Sequence, residues 1–321
     1  MVIARLIAAV LCTGAAGLVY QVVWTRRLIS VTRATVMAQA IVLAIFMAGL
    51  GLGAWWAGRR SAGVRRPLLA FAGIELAAAL IAALSLPLIG ASDAIRTAAA
   101  GVGLSLNAGL WLQLALVGAF LLIPTTLLGA SLPLLIEHIE RARAKVDLAL
   151  RGRVVGLIYG FNTLGAAAGA LVAGFVLIEN WGLQRSIWIG AGSALLGVGI
   201  AATGGWGGAR RDSAAAGTGN DVGAARGAPT EGLDYGLDDA VEPRFMAAAF
   251  LSGLVGLGAE VVWTRLMLLI VHGTVYSFAQ VLGAVLIGIA VGAWGAAAIA
   301  RSAGRRPDGR DQLMRAAALL A

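Results

Sequence analysis

The sequence predicts an all-α protein, built as a polytopic bundle of helices that cross a membrane. Hydrophobic residues make up 60% of its 321 positions and charged residues only 13%, whereas soluble domains carry about 25% charged residues. The mean hydropathy is +0.87. The apolar residues fall into separate runs, each near the roughly 20 residues that a bilayer core requires.

Eight apolar runs follow one another along the chain, and each predicts one transmembrane span. They cover residues 2–24, 34–58, 67–90, 108–136, 154–178, 183–203, 245–270 and 275–300. Residues 91–107 are weakly amphipathic and predict a loop or an interfacial segment, and residues 312–321 begin a ninth run. The first run has the composition of a secretory signal, but its recurrence inside the chain favours a retained span.

An internal repeat relates the first two runs to the last two. The stretch 13–26 returns as 252–265 without a gap, so Trp24 aligns with Trp263 at an offset of 239 residues (263 − 24). The match continues into the next run, where Trp55 aligns with Trp294. An ungapped match over two helix-length segments indicates duplication of a structural unit.

The repeat divides the chain into three predicted parts. Residues 1–203 form a first six-span membrane unit, and residues 244–321 begin a second repeat with two spans and part of a third. Between them, residues 204–243 are rich in glycine, alanine, serine and acidic side chains and contain few large apolar residues. Because such a segment cannot bury a core, we predict a disordered cytoplasmic linker.

The basic residues indicate membrane topology rather than a nucleic-acid partner. Lys and Arg number 25 against 16 Asp and Glu, and most of the Arg lie in loops after even-numbered spans. Because positive residues mark the cytoplasmic side, the amino terminus is predicted to be cytoplasmic. Arg26, Arg27 and Arg33, together with Arg265, fall on the outer side, which indicates either a partner there or contact with lipid phosphates.

No metal and no other cofactor are predicted. Cys12 is the one cysteine of the chain, so neither an intrachain disulfide nor a thiolate metal site can form within it. His138 and His272 lie far apart in the sequence, and neither has a second ligand at the spacing that metal sites use.

Two acidic residues inside apolar runs are the first candidates for a functional site, because ionisable groups are costly within a bilayer. Glu75 lies near the midplane of the third run. There it is either a proton or cation site that faces the bundle interior, or a carboxyl that holds helices together. Glu260, in the seventh run, aligns with the neutral Gln21. Glu260 either contacts Arg26 across the repeat or lies exposed at the membrane interface.

Polar residues in the fourth and fifth runs are further candidates for a substrate or ion pathway. Thr125 and Thr126 lie in a run with two prolines, which predict either a broken helix that lines a cavity or a structural kink. Tyr159 and Asn162 are three residues apart and share one helix face. Asn162 is suited either to bind a ligand or to hydrogen-bond a neighbouring helix.

Small residues and tryptophans predict how the helices pack. Glycines at four-residue spacing allow close approach between helices, and they occur as Gly49 and Gly53, Gly165 and Gly169, and Gly288 and Gly292. Trp24 and Trp263 are predicted to anchor the outer membrane boundary, where such rings are enriched. Alternatively, the two matching Trp-Thr-Arg triplets cap an outer vestibule.

The order of these parts resembles the major facilitator architecture, in which six spans, a hydrophilic loop and a parallel second copy follow one another. Residues 53–66 also resemble the short glycine-and-arginine signature that this superfamily carries between its second and third helices. The stretch recurs from Gly292 to Arg306. Both copies lack the acidic residue that is usual in the signature.

Four stretches carry a closer resemblance: residues 14–26, 124–133, 156–166 and 174–178. Together they are similar to the membrane (N-terminal) part of bacterial fused major-facilitator/spermidine-synthase-like proteins. The resemblance implies a bacterial inner membrane location and a polyamine-like substrate. It also implies aminopropyltransferase activity in a soluble domain that follows the spans. We recognise no such domain in residues 1–321, so we predict no catalytic residue.

Three classes of function follow from these observations. The first is the multipass membrane domain of a spermidine synthase-like fusion, with the lipid bilayer and a soluble aminopropyltransferase-like domain as partners. The second is a major-facilitator-type secondary transporter of a small polar or cationic solute. The third is a membrane scaffold without transport.

Overall fold

The computed structural model describes residues 2–142, 148–216, 243–271 and 274–303. These residues form helices joined by short connections, with no strand among them. The α-helices are α1 (Val2–Thr32), α2 (Thr35–Arg60), α3 (Pro67–Ala91), α4 (Asp93–Gly101), α5 (Leu106–Ala142), α6 (Leu148–Val172), α7 (Ile178–Ala216), α8 (Pro243–Ile270) and α9 (Thr274–Ala303). A 3₁₀ turn, Ser61–Gly63, follows α2, and a π turn, Ala173–Leu177, joins α6 to α7.

Seven helical stretches in the described part of the chain are long and apolar enough to cross a membrane. The longest, Val154–Thr203, has 50 residues and contains two of the predicted runs. This architecture confirms the predicted fold class, an all-α polytopic helix bundle. Pro67 begins α3, where its missing backbone N–H leaves no helical hydrogen bond unmade.

The long stretch Val154–Thr203 reverses direction at Gly182. The backbone there has φ 71° and ψ 178°, a conformation that glycine adopts readily. Helix α6 runs parallel to α1, because Gly165 lies against Leu11 and Gly169 against Ala15. Helix α7 runs antiparallel to α1, because Gly190 lies against Val19 and Gly197 against Ala9. The two predicted runs in this stretch therefore form two separate crossings.

Helix α1 lies at the centre of the bundle and packs mainly against α6 and α7. Trp24 is 0% exposed, and its indole N–H donates to the Ser85 hydroxyl at 2.8 Å. The prediction that Trp24 anchors the membrane boundary is therefore wrong. Helix α1 continues to Thr32, beyond the end of the first apolar run, and this places Trp24 within the bundle. Trp263, by contrast, is 55% exposed.

Four of the predicted packing glycines lie where helix backbones nearly touch. A Cβ at Gly49 or Gly53 would collide with Thr125 or Thr126 of α5, and one at Gly165 or Gly169 would collide with the backbone of α1. The packing prediction is confirmed at these positions. It is wrong for Gly288, where a Cβ would meet no described atom within 4 Å.

Helix α5 is continuous from Leu106 to Ala142, although it contains Pro124 and Pro133. The Thr125 hydroxyl donates to the Leu121 carbonyl at 2.9 Å, and Thr126 donates to Leu122 at 2.7 Å. Pro124 leaves the Phe120 carbonyl without its helical donor, and the two hydroxyls bond to the next two carbonyls of the same turn. One of the two predicted readings, a helix broken at the prolines, is therefore wrong.

Two other boundaries differ from the prediction. Residues 93–101 form the short helix α4 within the segment predicted to be a loop or interfacial piece. Helix α7 continues to Ala216, into the segment predicted to be a disordered linker from residue 204. The remainder of that linker, 217–242, and the predicted ninth run, 312–321, lie outside the described residues, as does His272.

We predict that Gly53→Val destabilises the protein, because the added atoms must displace the Thr126 carbonyl and the Ala130 amide of α5. Overpacking of this kind costs about 1–3 kcal/mol. The control is Gly58→Val, on the same helix, where no described atom lies within 4 Å. Thermal unfolding in detergent, followed by tryptophan fluorescence, measures the difference. Equal melting temperatures for the two variants would contradict the close packing of α2 and α5.

Candidate functional site

Buried polar side chains from α1, α3 and α5 form the candidate site. Tyr20 and Gln21 of α1 are fully buried, Glu75 of α3 is 1% exposed, and Ser131 of α5 is also buried. Such groups are costly inside an apolar bundle unless they have partners. We call Tyr20, Glu75 and Ser131 the buried polar cluster, because Glu75 interacts with both of the other two.

Glu75 faces the bundle interior, which is compatible with both of its predicted readings. The Ser131 hydroxyl lies within hydrogen-bonding range of the Glu75 carboxyl, and it donates its proton to the Leu128 carbonyl at 2.8 Å. The Oε2 atom of Glu75 has no hydrogen-bond partner among the described residues, and neither has the Tyr20 hydroxyl. The Tyr20 hydroxyl and the Glu75 carboxyl are close enough to interact electrostatically. This cluster therefore contains an acceptor and a hydroxyl that have no partner among the described residues.

No cation from the described chain neutralises Glu75. The ion pairs among described residues are Arg27–Asp93 at 3.7 Å and Arg141–Glu137 at 2.7 Å, both near helix ends. An unpaired carboxylate in a membrane interior is costly. The Glu75 carboxyl is therefore suited to take up a proton, or a small cation that enters the bundle.

The same hydrogen bond within the helix occurs at Gln21 and at Glu260, which the repeat aligns. The Thr25 hydroxyl donates to the Gln21 carbonyl at 2.8 Å, and Thr264 donates to the Glu260 carbonyl at the same distance. Both amide atoms of Gln21 lack a described partner, and so does Oε1 of Glu260. The two positions therefore carry buried polar atoms that remain free to bind, one neutral and one acidic.

Neither predicted arrangement of Glu260 is present. Glu260 is 5% exposed, so it does not lie open at the interface. Arg26 and Arg265 are both exposed, and neither forms an ion pair with Glu260 in the described part of the structure. Helix α8 packs mainly against α9 and contacts α2, which leaves Arg26 of α1 without an acidic neighbour from α8.

The other predicted pathway residues lie away from the buried polar cluster or serve packing. The hydroxyls of Thr125 and Thr126 donate hydrogen bonds to carbonyls of their own helix. Tyr159 is largely exposed on α6. Asn162 is partly buried, and its backbone and side-chain oxygens lie against Gly14 of α1. Asn162 therefore sits at a close helix crossing, and its interhelical hydrogen bond stays a prediction.

Tyr20 and Ser131 are the members of the cluster that sequence reasoning missed. Tyr20 precedes Gln21 in an apolar run. Two adjacent polar residues within such a run could have indicated a buried polar site. Ser131 lies near the prolines of α5 and resembled a helix-bending residue more than a partner for α3. No group of three or more His, Cys, Asp or Glu able to hold a metal occurs in the described residues.

Arg141, at the end of α5, holds the connection between α2 and α3. Its guanidinium donates to the carbonyls of Val64 and Ala62 at 2.8 Å and of Ser61 at 3.2 Å, and it pairs with Glu137. This connection belongs to the glycine-and-arginine stretch that lacks the usual acidic residue. Backbone carbonyls therefore accept the hydrogen bonds that Arg141 donates to this stretch.

We predict that Arg141→Gln loosens the connection between α2 and α3, which contains the trypsin site Arg65. Its charge-assisted bonds are partly exposed, so we expect a loss of about 1 kcal/mol and roughly fivefold faster cleavage. Limited trypsin digestion in detergent measures the rate. Arg185→Gln, at an exposed arginine of α7, is the control. Unchanged cleavage in Arg141→Gln would show that the contacts do not hold the connection.

This chain is similar in sequence to curated proteins of one kind. Polyamine aminopropyltransferases of Mycobacterium tuberculosis (strains CDC 1551 / Oshkosh and H37Rv) and Mycobacterium bovis are each 30% identical to this chain over 187 residues. The match covers 57% of this chain and 32% of each relative. The chain thus aligns with about a third of the length of the relatives it matches. No protein-family profile and no solved structure matches the chain.

Proposed function

We propose that this chain is the membrane domain of a polyamine aminopropyltransferase-like protein, in which a soluble catalytic domain lies beside the helix bundle. The observation that carries the proposal is the 30% identity to proteins of that name over 187 residues. The described residues of this chain are helical and mostly apolar. The similarity therefore supports a shared membrane part, and in this proposal the activity named for the relatives is assigned to a different domain.

The same proposal includes the location of the chain. It assigns the chain to the bacterial inner membrane, and the basic loops favour a cytoplasmic amino terminus. The connection after α2 carries Arg59, Arg60, Arg65 and Arg66 on that side. A catalytic domain that uses a cytosolic nucleoside donor requires the cytoplasmic side as well.

An activity assay tests this proposal. We compare residues 1–321 with the protein that the complete gene encodes, both purified in detergent, for transfer of an aminopropyl group to putrescine. We expect transfer by the complete protein and none by residues 1–321, because the proposal assigns the transfer to the soluble catalytic domain. Transfer by residues 1–321, or its absence from the complete protein, would overturn the proposal.

A second candidate function is proton-coupled transport of a small polar or cationic solute, such as a polyamine, through a major-facilitator-like bundle. The specific observation in its favour is Glu75, a buried carboxyl with an oxygen that lacks a described partner. A group that binds and releases a proton inside the membrane is what a proton-coupled carrier needs. Gln21 and Glu260, at aligned positions, are proposed as polar groups of the solute pathway.

We predict that Glu75→Gln abolishes the dependence of uptake on a proton gradient while leaving the bundle folded, because the amide keeps the shape of the carboxyl and cannot exchange its charge. Uptake of labelled putrescine and spermidine into proteoliposomes, with and without the gradient, measures the effect. Glu140→Gln, at the end of α5, is the matched control. Proton-dependent uptake that persists in Glu75→Gln would eliminate this role for Glu75.

A further inference from the structure

A groove of about 300 Å³ lies on the outside of the bundle, where α3, α4 and α5 meet. Its walls are mostly apolar, and among the residues that line it are Leu88, Ala91, Ser92, Ile95, Leu116 and Phe120. Leu88 is 51% exposed and Leu116 is 49% exposed, so the groove opens sideways from the bundle. In a protein whose helices cross a membrane, such an opening faces the lipid.

Polar side chains adjoin this groove at Ser92. The side-chain nitrogen of Gln113 donates to the Ser92 hydroxyl at 3.0 Å and to one oxygen of Asp93 at 2.9 Å. The other carboxylate oxygen of Asp93 pairs with Arg27 of α1 at 3.7 Å. Gln113 is 0% exposed, and its Oε1 atom has no hydrogen-bond partner among the described residues. We call these four residues the polar end of the groove.

One face of α5 determines how these parts follow one another. Gly109, Gln113 and Val117 are spaced four residues apart and therefore share that face. Gly109 lies against Arg96 of α4, Gln113 belongs to the polar end, and Val117 lines the groove. At 1.5 Å per residue, Gly109 and Val117 are about 12 Å apart along the helix. Charged groups thus lie near the start of α5, and the apolar groove lies deeper along it.

The charges at this end of the bundle favour an anion. Arg27 and Arg96 outnumber Asp93, so the three groups carry a net charge of +1 (2 − 1). Arg27 has five N–H donors, and its described side-chain partners are Ser30 at 3.1 Å and Asp93 at 3.7 Å. The guanidinium is 26% exposed, and arginine N–H groups match the oxygens of a phosphate. Arg27 is therefore able to bind a phosphate while it remains beside Asp93.

We propose that the groove binds an anionic phospholipid, with the phosphate at Arg27 and Arg96 and one acyl chain between α3 and α5. A phospholipid has the same order of parts as the groove, a charged headgroup at the helix ends and an apolar chain below it. The free Oε1 acceptor of Gln113 suits a headgroup that carries hydroxyls, such as that of phosphatidylglycerol. Of the two explanations that the sequence left for Arg27, a partner or lipid phosphates, the groove favours the second.

Lipid titration of residues 1–321 in detergent, followed by native mass spectrometry, tests the proposal without depending on catalysis or uptake. We expect phosphatidylglycerol to bind more tightly than phosphatidylcholine. Arg27→Gln weakens phosphatidylglycerol binding about fivefold, the contribution of one arginine near a membrane surface, and leaves phosphatidylcholine binding unchanged. Arg27→Lys keeps the charge and the preference. Arg185→Gln, at an exposed arginine of α7, is the matched control and changes neither affinity.

Ala91→Phe tests the groove itself, because Ala91 is exposed and the added ring fills the space proposed for the chain. We expect weaker binding of both lipids, whereas Ala98→Phe, at an exposed alanine of α4 that does not line the groove, leaves binding unchanged. Equal affinity for the two lipids, or full phosphatidylglycerol binding by Arg27→Gln or Ala91→Phe, would overturn the proposal. Displacement of the lipid by an equal concentration of glycerol 3-phosphate would instead indicate a site for a free phosphate, and would also overturn it.

Discussion

The close approach of α1 to α6 and α7 is the contact on which the rest of this bundle depends. Lipid exerts little hydrophobic force between helices, so their association relies on packing and on hydrogen bonds between them. Gly165 and Gly169 let the α6 backbone touch α1, and Gly190 does the same for α7. With two helices held this closely, α1 becomes a core element, and its polar side chains have to find partners inside the bundle.

Some of those polar side chains have hydrogen-bond partners, and others have none among the described residues. Trp24 is satisfied, because Ser85 of α3 accepts its indole proton. Gln21 and Tyr20 are buried without described partners, and Glu75 has one free oxygen. Unmet polar groups in a membrane interior are expensive to maintain, and for this reason we propose the Glu75 carboxyl as the group that binds a proton or a small polar species. The same reasoning separates the buried polar cluster from Thr125 and Thr126, whose hydroxyls serve their own helix.

The aligned pairs in this chain show how one sequence pattern leads to different surroundings. Trp24 is buried and Trp263 is exposed, whereas Trp55 is exposed and Trp294 packs on α6. Hydropathy and spacing are nearly the same within each pair, so no local property separates the members. The difference comes from the neighbouring helices: α1 packs mainly against α6 and α7 whereas α8 packs mainly against α9, and α2 packs mainly against α5 whereas α9 packs mainly against α6. The prediction that Trp24 anchors the boundary failed for this reason.

Sequence alone determined the fold class, the helical runs and the glycines at which α2 and α6 pack, because length, hydropathy and residue size act locally along a helix. It also identified Glu75 as a buried acid, since a charge within an apolar run is conspicuous. Only the tertiary structure decided that Tyr20 and Ser131 join Glu75, that Arg141 holds the connection after α2, and that Glu260 lies apart from Arg26. These outcomes depend on how each helix is rotated about its axis and which distant helix it meets, and helix rotation is set by packing between segments far apart in the chain.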